Sequence, residues 1–334
     1  FERVINVTET EQEFVFKNVE ECPIPSLLRG FSAPIQLEYS YSDEELALLL
    51  SFDDDHFARW EAGQLLYRRE IFRLIKEHRD GKAMVCNPLV VEAVRKVLAN
   101  NNVEKALLAQ ALKLPGETNL AQQMEVIDVD GLHVARQFLH CQLGTELRSE
   151  FQEIYLANQE NGPYEFSAES YGRRLLKNTA LSYLAAINDP QAHELCFKQF
   201  EQNHNMTDVI AALKCLSHTD SPLREQAFNL FYNQWKNDVL VLDKWLALQA
   251  QSSRSITLDE VKALTNHEAF NIKNPNRVRS LLSVFAQENA ICFHAESGSG
   301  YEFIADKVLE LNSINPQVAA RLVRTAFTQW RKYD

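Results

Sequence analysis

Glycine and proline are scarce here, ten of each in 334 residues, which excludes collagen-like and low-complexity disordered classes. Cysteine is sparse too. Cys22, Cys86, Cys141, Cys196, Cys215 and Cys292 form no CxxC pair, which argues against a disulfide framework or a zinc ribbon and leaves six ordinary small thiols. No stretch approaches the roughly 18 consecutive apolar residues of a membrane span. Phe1, Glu2 and Arg3 open the chain without an apolar run or a cleavage site, so nothing directs it out of the cytoplasm and no membrane partner is expected. Cations are outnumbered: 34 Lys and Arg face 46 Asp and Glu, a formal charge of -12. That balance argues against nucleic acid as a partner, which needs clustered cations to neutralise phosphates.

The templates of catalysis are also missing. A zinc peptidase needs HExxH, two imidazoles one helical turn apart with a Glu as base. His193-Glu194-Leu195-Cys196-Phe197 and His267-Glu268-Ala269-Phe270-Asn271 begin that pattern, but Phe197 and Asn271 stand where the second His belongs. His133 and His140 are seven apart and share a helix face, with no obvious carboxylate as third ligand. There is no GxSxG elbow and no GxxxxGK[ST] loop. Ser297-Gly298-Ser299-Gly300 lacks a preceding strand and a following Lys, and reads as an inter-helix turn. No catalytic residue and no metal ligand is assigned to this chain.

What is present is a core. Hydrophobic residues make up 46% of the sequence, enough in a chain of this length to bury most of its apolar surface. Residues 1 to about 40 carry short β-prone runs, Val4-Ile5 with Val7 and Phe14-Val15-Phe16, which predict a hairpin. Ile35, Leu37 and Tyr39 alternate as one face of a further strand. From Ser42 the period changes to about 3.6, and Ser42-Asp43-Glu44-Glu45 has the form of a capping box. Phe57, Trp60, Gln64, Tyr67, Ile71, Leu74 and Ile75 then recur at three- and four-residue steps, with Arg59, Glu61, Arg68 and Arg69 expected on the wet face.

Asn87-Pro88, Asp189-Pro190, Ser221-Pro222, Asn274-Pro275 and Asn315-Pro316 each place a capping side chain before a Pro suited to the first helical position. Polar joints such as Gln159-Glu160-Asn161-Gly162-Pro163 separate the segments. About fifteen helices are predicted. So many short antiparallel helices cannot share one bundle core, so the expected fold is mainly all-α, a superhelical stack of antiparallel helix pairs. Two of the Pro-marked starts carry cations: Lys273, Arg277 and Arg279 in one place, Arg321 and Arg324 in the other. Guanidinium groups beside helix N-termini suit a carboxylate or phosphate, whereas the plainer reading pairs them with some of the 46 acids.

Several strings together resemble the C-terminal third of bacterial, alanyl-type aminopeptidase N. They are Glu11-Gln12-Glu13-Phe14-Val15-Phe16, Pro23-x-Pro25-Ser26-Leu27-Leu28-Arg29, Phe31-Ser32-Ala33-Pro34, Asn205-Met206-Thr207-Asp208 and Asp243-Lys244-Trp245. The rest are Asn274-Pro275-Asn276-Arg277-Val278-Arg279-Ser280, Phe293-His294-Ala295-Glu296-x-Gly298-Ser299-Gly300-Tyr301 and Asn315-Pro316-Gln317-Val318-Ala319. The resemblance implies a zinc-dependent exopeptidase of four domains, with the metal and the catalytic Glu upstream of Phe1.

On that basis residues 1–40 would be the last strands of a truncated β-sandwich and residues 41–334 an armadillo- or HEAT-like helical domain. The helical domain would cap the catalytic domain of the same polypeptide and enclose its cavity. Arg279 and Arg321 would contact the far end of a peptide substrate. Relatives continue for a further helix or two beyond Tyr333-Asp334. The alternative is an autonomous α-solenoid scaffold that binds proteins on its concave face.

Overall fold

The computed structural model describes residues 2–100, 103–160, 162–202, 204–328 and 330–333. Phe1 and Asp334, the outer ends of the two expected domains, and Asn161 of the expected joint lie outside them. Eighteen α-helical segments occur among the described residues. The sequence predicts about fifteen; the excess lies in short pieces such as Glu117–Ala121 and Ala290–Phe293, and in one helix interrupted by a turn of π geometry.

The capping logic holds in detail. The Ser42 hydroxyl accepts from Glu45 N while Glu45 reaches back to the Ser42 N–H, closing the box that starts α1 (Asp43–Phe52). All five Pro-marked starts are real: α3 (Pro88–Leu98), α9 (Pro190–Gln202), α11 (Pro222–Trp235), α14 (Pro275–Val278) and α18 (Pro316–Phe327). In each the preceding Asn, Asp or Ser side chain accepts a backbone N–H of the first turn, satisfying a donor the helix itself cannot pair.

The helices stack as a solenoid. α1 packs on α2 (His56–Arg79) and α3, and α2 packs on α4 (Lys105–Leu112) and α6 (Val129–Glu146). α4, α6 and α7 (Arg148–Ala157) all meet α8 (Ala168–Ala186), which leads through α10 (Met206–Ser217) to α11 and α12 (Val239–Ala250). α12 then meets α13 (Thr257–Leu264) and the helix formed by α14, the π turn Arg279–Ser283 and α15 (Val284–Glu288). α16 (Ala290–Phe293) leads to α17 (Ser299–Asn312), and α17 packs on α18, which returns to the π turn.

One continuous apolar cluster runs from Tyr41 to Ala326 and includes the fully buried Tyr67, Tyr183, Phe151, Phe231, Phe285 and Phe293. Side chains of this kind stabilise by roughly 1.5–3 kcal/mol each when buried. The far end of the stack also comes back to α6. α16 packs on α6, Ile127 N donates to Lys332 O at 2.7 Å, and Tyr333 stacks on His294 with ring centroids 3.5 Å apart.

Two expectations are corrected. The hairpin at 4–16 and the strand at 35–39 do not form: among the described residues no ladder joins any part of 2–42, and Val4, Val7, Val15, Ile35, Leu37 and Tyr39 are exposed. Strands this few have nothing to pair the rest of their backbone or cover their apolar face, so the β-prone pattern alone does not hold them in a sheet. Arg59, expected in solvent, is 5% exposed. Its Nη2 donates to Asp53 O, so the side chain serves the entry to α2.

Candidate anion-contact site

Asn274 caps α14 by accepting from Asn276 N at 2.9 Å. The chain then departs from α geometry at Arg279–Ser283, a π turn of the kind that displaces side chains from the register their neighbours set. Arg277 and Arg279, two residues apart, end on opposite sides. Arg277 is buried and donates through Nη1 to Asp243 and, at 2.8 Å, to Val239 O. Ser280 Oγ donates to the same Asp243 carboxylate at 3.1 Å. The segment is thereby pinned to the start of α12.

Arg279 stays exposed, and its Nη2 donates to Asn276 Oδ1 at 3.0 Å. Arg321, from the second turn of α18, is exposed as well. Both line one cleft of about 110 Å³ with Pro275, Asn276, Val278, Ser283, Val318 and Leu322. Among the described residues neither Arg279 nor Arg321 forms an ion pair with a carboxylate.

The cationic group seen in the sequence therefore divides. Arg277 is structural and pairs with an acid. Arg279 and Arg321 are brought together with unsatisfied donors, while Lys273 and Arg324 are exposed but do not line the cleft. Val278, Val318 and Leu322 line it beside the polar Asn276 and Ser283, and two guanidinium forks on one cleft suit a planar, doubly accepting anion. Sequence reasoning missed Asn276, which orients Arg279, and Asp243, which anchors its turn. Their only signal was membership of the Asn274–Ser280 and Asp243–Trp245 strings.

A larger cleft of about 530 Å³ lies between α3 and α6, lined by Cys86, Glu92, Arg95, Phe138 and Glu146 among others. Its Arg95 is taken by Glu150 and Glu92, and burial pushes the Cys86 thiol up to about 12, so it is held as an unreactive thiol. The two partial HExxH strings are structural. His193 Nε2 bonds Asn188 Oδ1 at 2.8 Å, and His267 stands edge-on to Tyr232, whose hydroxyl donates to Glu268. Among the described residues no three His, Cys, Asp or Glu side chains converge as a metal site. No helix among them is long and apolar enough to cross a membrane.

The family model described as "Domain of unknown function (DUF3458_C) ARM repeats" matches residues 43–334. The chain belongs to this family. A second model, DUF3458 with an Ig-like fold, matches residues 1–40. Aminopeptidase N of Escherichia coli is 39% identical over 331 residues, covering 99% of this chain and 38% of that protein. The Haemophilus influenzae aminopeptidase N is 38% identical over 320 residues, covering 96% of this chain and 36% of that protein. The chain thus spans well under half the length of these curated relatives, and it corresponds to their C-terminal part.

A solved structure, Legionella pneumophila aminopeptidase A in complex with aspartic acid, superposes with a TM-score of 0.84 at 33% identity. It covers 96% of this chain and 38% of that one. The ARM-repeat description agrees with the helix-pair stack observed in this DUF3458_C chain.

Proposed function

We propose that this chain is the C-terminal region of a cytoplasmic, zinc-dependent aminopeptidase that removes N-terminal residues from peptides. Residues 1–40 would complete a β-sandwich, and residues 41–334 would form the helical domain that encloses the active-site cavity. The catalytic domain of the same polypeptide is then its principal partner. Among the described residues no three potential ligands converge, no step of hydrolysis is assigned to them, and on this reading the zinc would be held by the catalytic domain. What these residues supply is binding.

The observation that carries this reading is the shared cleft of Arg279 and Arg321. A peptide held by its amine at a catalytic centre projects its carboxylate away from it, and two guanidinium groups free of acidic partners suit that group. Binding made remote from the reacting bond still positions it.

The test compares, in the full-length enzyme, peptides with a free C-terminal carboxylate against small amino-acid amides that lack one. Arg279→Ala and Arg321→Ala should each lower kcat/KM for the peptides about tenfold, a loss of about 1.4 kcal/mol, and change amide turnover by less than about twofold. Equal losses on both substrates would remove the carboxylate contact.

A further inference from the structure

Exposure changes abruptly along the segment that leads into the helical stack. Residues 2–23 are exposed throughout, whereas residues 24–29 are half-buried and Ile24 packs against the core. Tyr41, buried at the other end of the segment, donates its hydroxyl to Pro25 O at 2.7 Å, which closes the stretch between them into a loop. Arg69 of α2 in turn donates to Tyr41 O at 2.9 Å and to Asp43 at 2.8 Å.

The middle of that loop is clamped. Arg29 donates through Nη1 to Asp53 Oδ1 at 2.9 Å and through Nη2 to Asp54 Oδ1 at 2.6 Å. The next backbone N–H, that of Gly30, donates to Asp55 Oδ2 at 2.9 Å. Two successive residues of the connector thus engage all three acids that join α1 to α2. Asp53 is buried, and Asp55 also caps α2 through Ala58 N at 2.8 Å, so the grip is anchored on the framework of the stack. Phe31 lies against Phe57 of α2 with ring centroids 5.1 Å apart.

The backbone here is strained. Leu28, Gly30 and Phe31 take φ of +53°, +62° and +52°, a region that residues other than glycine rarely adopt. Such conformations persist only where surrounding contacts over-determine them. A flexible tether carries neither this strain nor a set of engaged carboxylates.

We propose that Arg29 is a positioning residue: its grip on Asp53 and Asp54 makes residues 24–41 a rigid joint, which fixes the angle at which the preceding polypeptide meets α1 and α2. This role rests on the function proposed above, in which the preceding polypeptide carries the catalytic centre. The distance from that centre to Arg279 and Arg321 is then set at the joint, and a peptide that must reach both depends on it.

The test uses the full-length enzyme with Arg29→Met, which removes the charge and keeps an aliphatic stem, and with Asp54→Asn, whose side chain is 87% exposed. Chymotryptic cleavage at Leu27, Leu28 or Phe31 should quicken about tenfold in Arg29→Met and about threefold in Asp54→Asn, because cleavage tracks the opened population. Cleavage within the helices should keep the parent rate, and small-angle scattering should show a broader distribution of interatomic distances. For peptides with a free carboxylate KM should rise about fivefold in Arg29→Met, with kcat and amide turnover within about twofold. Arg29→Lys keeps one charged group and should recover part of each change. If Arg29→Met is cleaved throughout, Asp54→Asn decides on the same readouts. Unchanged cleavage and scattering would overturn the joint. A looser joint with unchanged peptide KM, where Arg279→Ala does impair peptides, would overturn the positioning role. If Arg279→Ala and Arg321→Ala instead leave peptide turnover intact, the carboxylate contact fails, and cleavage and scattering alone decide the joint.

Discussion

A Cβ at Gly144 would stand 2.3 Å from the carbonyl oxygen of Tyr183, so α6 and α8 approach as closely as they do only because that position has no side chain. Since the obstacle is backbone, it cannot swing aside. Gly144→Ala should destabilise the fold by about 1–3 kcal/mol, seen as an earlier urea midpoint with unchanged slope. Asp243→Asn tests a different cause. It strips the charge from the carboxylate that holds buried Arg277 and Ser280, and leaving a buried guanidinium unpaired costs about 3 kcal/mol. If the proposed carboxylate contact holds, peptide turnover by the full-length enzyme should fall with it, because the turn that presents Arg279 loses its anchor, and Asp243→Glu should restore part of both. Arg279 and Arg321 were legible as candidates from their position after Pro-marked starts. That Arg277 would turn inward was not, since its partner lies 34 residues away on another helix.

Helix boundaries were the most legible part of the fold, because caps act locally and their residues sit beside the backbone groups they satisfy. Ser42→Ala removes one side of the box at α1 and should cost about 1 kcal/mol, measurable by denaturant unfolding. The π turn at Arg279–Ser283 left no trace in the apolar period, because Val278, Leu281, Leu282 and Phe285 are buried on a spacing that an ordinary helix also allows. The glycines of Ser297-Gly298-Ser299-Gly300 were read as a turn, and the two serve separate ends. Gly298 takes φ +70°, while a Cβ at Gly300 would meet Phe293 O at 2.4 Å. The first was readable from turn chemistry, whereas the second depends on how α17 packs. The strand pattern of 4–39 failed for the opposite reason, since a strand is completed by partners that local sequence does not contain.

Across the whole molecule, stability should decline in mild acid. Burial holds His140 down to about 3 and His294 down to about 4, both below the ordinary imidazole value near 6.5. The unfolded chain then binds more protons, so the contribution of these neutral rings is complete above about pH 6.5 and is lost as pH falls toward about 4. The unfolding free energy from urea titration should drop between pH 7 and pH 5, by roughly 1 kcal/mol per pH unit for each ring. His294→Gln, which can keep the bond to Tyr301 that His294 Nδ1 makes at 2.6 Å, should flatten part of that slope.

The stacking of Tyr333 on His294 and the bond from Ile127 to Lys332 have a mechanical consequence. An open solenoid behaves as a spring whose ends fray and whose turns lengthen one at a time. Here the last residues are latched to the loop before α6, so pulling the coil apart requires that latch to open first. The helices from α6 onward are thereby held in a closed loop of contacts, and a strain applied to any of them is shared with that latch.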